Sequence, residues 1–158
     1  MTETYVDIML QSLKKKEEVL KAIIDENVKQ REILEDVNGS ADDFDATVEA
    51  KSALIDQLNQ LDSGFQKLFD RMKEELEGNK DKYREQIREI QKHIRTVTDK
   101  SVEIQAQEAR NKDLMKTKFT QVKSQARNFR KSSAVVSKYY KSMSKMSYIE
   151  PQFMDNKH

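Results

Sequence analysis

From Val6 to Val37 apolar residues return at alternating steps of three and four. Val6, Leu13, Leu20 and Leu34 fall on multiples of seven, Met9, Ile23 and Val37 take the adjoining positions, and Leu10 and Ile24 widen the stripe. A single apolar face on a 3.6-residue period predicts a long amphipathic helix over about 3–38. Lys16, Asn27 and Gln30 interrupt the seam with polar groups. Asn38-Gly39 should end the helix, because both residues tolerate the left-handed conformation of a C-terminal cap.

The next segment opens at Ser40-Ala41-Asp42-Asp43, a capping-box-like start with Asp in place of Glu. Asp42, Asp43 and Asp45 stand where the helix dipole favours negative charge. Its seam reads Phe44, Val48, Lys51, Ile55, Leu58, Asp62, Phe65, Phe69, Met72 and Leu76, flanked by Leu54, Leu61 and Leu68. That predicts a second helix over about 41–77. Gly64 lies inside it, as a tolerated weak spot or a point of close helix contact, with a hinge as the functional alternative. Gly78-Asn79 marks the next stop.

A third helix is expected over about 80–129, since no Gly or Pro occurs between Asn79 and Glu150. Tyr83, Ile87, Ile90, Ile94, Val97, Ile104, Met115 and Val122 keep the four–three seam, while Ser101, Glu108, Asn111 and Lys118 interrupt it. The apolar face is dense to Ile104 and sparse afterwards, so the second half is expected to project or to take a partner, with a bend near Ser101 left open. Residues 130–158 read as a serine-rich, basic, mobile tail. No acid occurs between Asp113 and Glu150, while nine Lys/Arg do. Set among them are Val135, Val136, Tyr139, Tyr140, Met143, Met146, Tyr148 and Ile149, and Pro151 breaks any helix.

Composition sharpens this picture. Apolar and charged residues each make up 36% of the 158-residue chain, and only 3 Gly and 1 Pro are present. Such a chain suits a narrow apolar seam better than a thick globular core. The expected fold is therefore all-α: an elongated antiparallel helical bundle or coiled coil of three long helices (1–129) with the C-terminal tail. The net charge of +1 conceals −9 in residues 1–79 and +10 in residues 80–158. An acidic half folding back on a basic half favours antiparallel pairing, through register and steering more than through stability. Cysteine is absent, excluding a disulfide-stapled module. No apolar run approaches the roughly 20 residues that span a bilayer, and Met1 to Leu13 does not resemble a signal peptide. A soluble cytoplasmic protein without stable membrane insertion is the expectation.

Little here points to chemistry. His93 and His158 are the only histidines, and His93, between Lys92 and Ile94, is expected on a solvated face. Glu89 precedes it by four residues, without the second Glu–His pair that a bundle metal site needs. There is no Gly-rich phosphate loop and no nucleophile elbow. No catalytic, metal or cofactor residue is assigned, and the protein is not expected to be an enzyme. The tail around Lys138-Tyr139-Tyr140-Lys141 fits single-stranded nucleic acid loosely. It also fits a membrane-surface helix, since Val135, Tyr139 and Met143 would share a face. Its aromatic and Met content favours a protein partner.

The run Glu49-Ala50-Lys51-Ser52-Ala53-Leu54-Ile55-Asp56-Gln57-Leu58-Asn59-Gln60-Leu61-Asp62 resembles the second-helix signature of the FlgN-like flagellar proteins: a Lys, then a Leu-Ile pair, then Leu-x-x-Leu-Asp. The first helix, with Leu20-x-x-Ile23-Ile24 and its Glu-rich continuation to Leu34, is similar to that family too. So are the chain length, the long third helix and the Tyr-bearing tail. The resemblance implies a flagellar type III export chaperone. Such a protein binds the amphipathic C-terminal segments of hook–filament junction proteins and delivers them to the export gate. It also implies that the C-terminal part carries client binding and that a tail tyrosine contributes to gate docking, with Tyr139, Tyr140 and Tyr148 the candidates by position.

The residues themselves point to an interaction surface in the same region. The sparse stretch Ser101 to Lys118 could accept a client helix, with Val102, Ala109, Met115, Phe119 and Val122 as contacts. Tyr139, Tyr140, Met143 and Tyr148 would add tail contacts. The same face could instead pack on the first helix or pair two copies in a homodimer. The rival reading is a coiled-coil adaptor or scaffold acting by self-association, its register fixed by seam residues such as Asn27. A single-strand nucleic-acid binder is the third, and no nucleic-acid partner is expected.

Overall fold

The computed structural model describes residues 2–121, with side-chain surroundings for 5–118. Three helices account for nearly all of it: α1 (Thr2–Glu35), α2 (Ala41–Gly78) and α3 (Arg84–Gln121). At 1.5 Å per residue the 38 residues of α2 or α3 run to about 57 Å, so the bundle is elongated. α3 is one continuous helix through Ser101.

α1 is the axis of the bundle. Both other helices pack along it, while the backbones of α2 and α3 scarcely approach one another. Lys16 lies opposite Asp62, Asn27 opposite Lys51 and Gln30 opposite Thr47, so α2 runs antiparallel to α1. Glu17 meets His93, Asn27 meets Gln107, and Lys118 reaches the end of α1, so α3 runs parallel to it. The acidic half thus pairs largely within itself as α1 and α2, and the basic α3 lies against α1 in the parallel sense.

The ends of the helices follow local chemistry. The Ser40 hydroxyl accepts the Asp43 amide at 3.1 Å, one half of the expected capping box. α1 stops at Glu35, three residues earlier than its apolar period suggests, and Val37 is 95% exposed in the turn. No described residue has positive φ, so the left-handed cap expected at Asn38-Gly39 does not form. Gly39 is demanded by crowding instead: a Cβ there would collide with the Ile33 carbonyl oxygen and come within 3.0 Å of Lys118 Nζ. α3 begins at Arg84 and not near Lys80, because residues 79–83 form a turn closed by the Tyr83 amide donating to the Asn79 carbonyl at 3.2 Å.

The core divides along the bundle. Near the α2–α3 turn it is apolar: Val6, Met9 and Leu13 of α1 meet Phe65, Phe69, Met72 and Leu76 of α2, with Tyr83, Ile90 and Ile94. Toward the other end Leu20, Ile23, Leu34, Phe44, Val48, Ile55, Leu58, Val97 and Ile104 form a second cluster. Polar side chains are set into this second one.

Candidate functional site

Lys51, in the seam of α2, is 1% exposed. An ammonium has three protons to donate, and three acceptors receive them: Asn27 Oδ1 at 2.7 Å, Glu108 Oε1 at 2.7 Å and Gln30 Oε1 at 3.2 Å. Burial pushes the Lys51 ammonium below its usual 10.5, while the charge and hydrogen bond of Glu108, and more weakly the charge of Glu26, act the other way. Asn27 is the hub of the layer. Its Nδ2 donates to Gln107 Oε1 at 3.1 Å, and its carbonyl accepts from Asn111 Nδ2 at 3.0 Å. Gln30 Nε2 donates to Thr47 Oγ1, which in turn donates to the Phe44 carbonyl at 2.6 Å. All three helices are tied at one level. A lone buried charge would cost several kcal/mol, so the pair persists only because each member holds the other.

Three more buried polar residues, Lys16, Asp62 and Lys118, complete the interior. Lys16 and Asp62 form a buried ion pair at 2.7 Å that marks the border between the two clusters. Lys118 Nζ donates to the Asp36 carbonyl at 2.7 Å and the Ile33 carbonyl at 3.3 Å. It thereby gives the Ile33 carbonyl a partner and adds a second donor to the Asp36 carbonyl, which also accepts the Gly39 amide at 3.0 Å, and its charge suits the negative end of that helix dipole. His93, expected on a solvated face, is partly buried against Glu17 of α1, with Glu89 on its other side at 3.7 Å.

These contacts decide how the second half of α3 is oriented. Glu108, Asn111 and Lys118, the polar interruptions of the seam, are buried against α1 and α2. The chain's own helices therefore fill the seam that looked sparse in sequence. Val102 and Ala109 stand outside it, and at 59% exposure Val102 is the most open large apolar side chain among the described helical residues. Met115 is half-buried beside the second core cluster, next to Leu114. Phe119 belongs to the α3 backbone near its end. Val122, Tyr139, Tyr140, Met143 and Tyr148 lie outside the described residues. Of the nine contact candidates the structure brings out Val102 and Ala109 as a surface.

Two clefts open between helices, and sequence periodicity signals neither. One, of about 540 Å³, lies between the end of α2 and the start of α3, with Phe69, Leu76 and Ile87 inside and Lys73, Arg84 and Arg88 on its rim. The other, of about 580 Å³, lies at the far end between α1 and α2. Its rim is acidic: Glu26, Glu32, Asp36 and Asp43 against Lys29. Among the described residues no group of His, Asp or Glu is placed to hold a metal ion, and no helix is long and apolar enough to cross a membrane.

A family model described as FlgN protein matches residues 1–147 of the chain. No curated protein and no solved structure matches it.

Proposed function

The chain belongs to the FlgN family, the flagellar export chaperones, and from that premise we propose that it binds the amphipathic C-terminal segments of hook–filament junction proteins and delivers them to the type III export gate. The observation that carries this reading is the extent of the family match. It spans the whole three-helix bundle and continues through the basic stretch as far as residue 147, taking in Tyr139, Tyr140 and Met143. The outward face of α3 at Val102 and Ala109 supplies apolar contact for a client helix. The tail tyrosines supply the gate contact.

Retention from a flagellated bacterial lysate, identified by mass spectrometry, tests it. The full chain is expected to retain hook-associated junction proteins or export-gate components, and a version ending at Phe129 to lose one or both. A full chain that retains neither, and associates mainly with itself, would overturn the chaperone reading. Asn27, the seam residue that could have fixed a homodimer register, has its hydrogen-bonding groups engaged within one chain.

A further inference from the structure

We propose that the acidic cleft between α1 and α2 is the docking site of the chain's own basic segment, residues 122–149. This goes beyond the chaperone reading and does not depend on it. The cleft runs from Glu26 and Ala50 to the α1–α2 turn at Asp36, Asn38 and Gly39. Ten residues of α1 separate its two ends, a length of about 15 Å. Ile33, Ala46, Thr47 and Ala50 give it a floor of small and apolar groups, and the four carboxylates against one lysine leave its rim at −3. Residues 122–149 carry seven Lys/Arg and no acid, with apolar and aromatic residues among them. Charge and surface character are therefore complementary.

Position argues for the same occupant. α3 ends beside the mouth of this cleft, because Lys118 is fixed on the carbonyls of Ile33 and Asp36, two residues that line it. Lys118 belongs to the same acid-free run, which extends from Leu114 to Ile149. One cation of that run is thus already seated at the mouth. The 28 residues of 122–149 reach far beyond the about 15 Å required, even in helical form. The other cleft cannot compete for this segment. It lies at the opposite end of the bundle, and its rim carries Lys73, Lys80, Arg84 and Arg88 against Glu77 and Asp81, a balance of +2 that disfavours a basic chain.

The absence of cysteine allows a direct test on the full chain. Spin labels at Glu49→Cys, exposed beside the cleft, and Ser137→Cys report the distance by double electron–electron resonance. At low salt a short-distance population is expected. It should fall several-fold in Glu32→Lys/Ala46→Lys, which changes two exposed helical positions on the cleft, and survive in Arg88→Glu at the other cleft. Raising salt from about 0.1 M to about 1 M shortens the screening length from about 10 Å to about 3 Å and should also deplete it. Circular dichroism establishes that each variant remains helical. Equal distributions in all variants, or no response to salt, would overturn the proposal. So would loss of the short distance on dilution with unlabelled chain, which would give the cleft to a second copy.

Discussion

The two halves of the bundle solve the same packing problem by different means. Near the α2–α3 turn the three helices meet through Phe65, Phe69, Met72, Tyr83, Ile90 and Ile94, with no polar group needed in the seam. At the other end the seam also holds Lys51, Asn27, Gln30, Thr47, Glu108 and Asn111. Apolar contact is non-directional and stabilises many registers nearly equally. A three-proton donor such as Lys51, facing three acceptors drawn from α1 and α3, is satisfied in one register only. Both halves bury an apolar cluster, and the second adds a polar layer that selects the register. The outward face of α3 that carries Val102 and Ala109 belongs to the aligned half.

The largest effect should come from breaking the polar layer on one side. Lys51→Ala leaves Glu108 buried without its cation and is expected to cost about 3–5 kcal/mol in denaturant unfolding. Lys51→Met combined with Glu108→Leu removes the charges together and should recover most of that loss, short of the wild type by the about 1–3 kcal/mol of leaving Asn27 Oδ1 without its donor, with alignment lost as well. A double variant as unstable as the single one would show that the layer stabilises outright. Ile90→Ala, in the apolar half, is expected to cost about 2–5 kcal/mol with alignment kept.

Two glycines sharpen the contrast on a smaller scale. A Cβ at Gly64 meets nothing within 4 Å, so Gly64→Ala should gain about 1 kcal/mol through helix propensity. Gly39→Ala drives a methyl group into the Ile33 carbonyl and should lower the melting temperature. The smallest effect is on pH dependence. The folded-state pKa of Lys51 lies below its usual 10.5, so in the alkaline window between the two values the unfolded chain binds more protons. Lys51 therefore makes stability rise with pH there, and Lys51→Met should remove that part of the slope in parallel melts.

Much of this was legible in the sequence, because a narrow seam on a 3.6-residue period is written in order along each helix. Every seam position named in α2 from Phe44 to Leu76 is buried. The breaks between helices were also legible, to within a few residues. What periodicity could not reveal is pairing across helices. Asn27, Lys51 and Glu108 read separately as interruptions of three seams, and only the fold brings residues 24 and 57 positions apart within 2.7 Å of one Nζ. For the same reason the stretch from Ser101 to Lys118 looked unfilled. The clefts were hidden too, since one arises from how α2 and α3 stand apart and the other from how α1 and α2 meet near their turn.

Hydrogen exchange on the full chain, alone and with the C-terminal segment of a hook–filament junction protein, joins the structural contrast to the function. Added protection is expected along α3 from Val102 to Gln121 and beyond it, with Arg84 to Ile94 unchanged. Protection gained only near the α2–α3 turn, or none at all with the segment at saturating concentration, would contradict the assignment of client binding to the aligned half of the bundle.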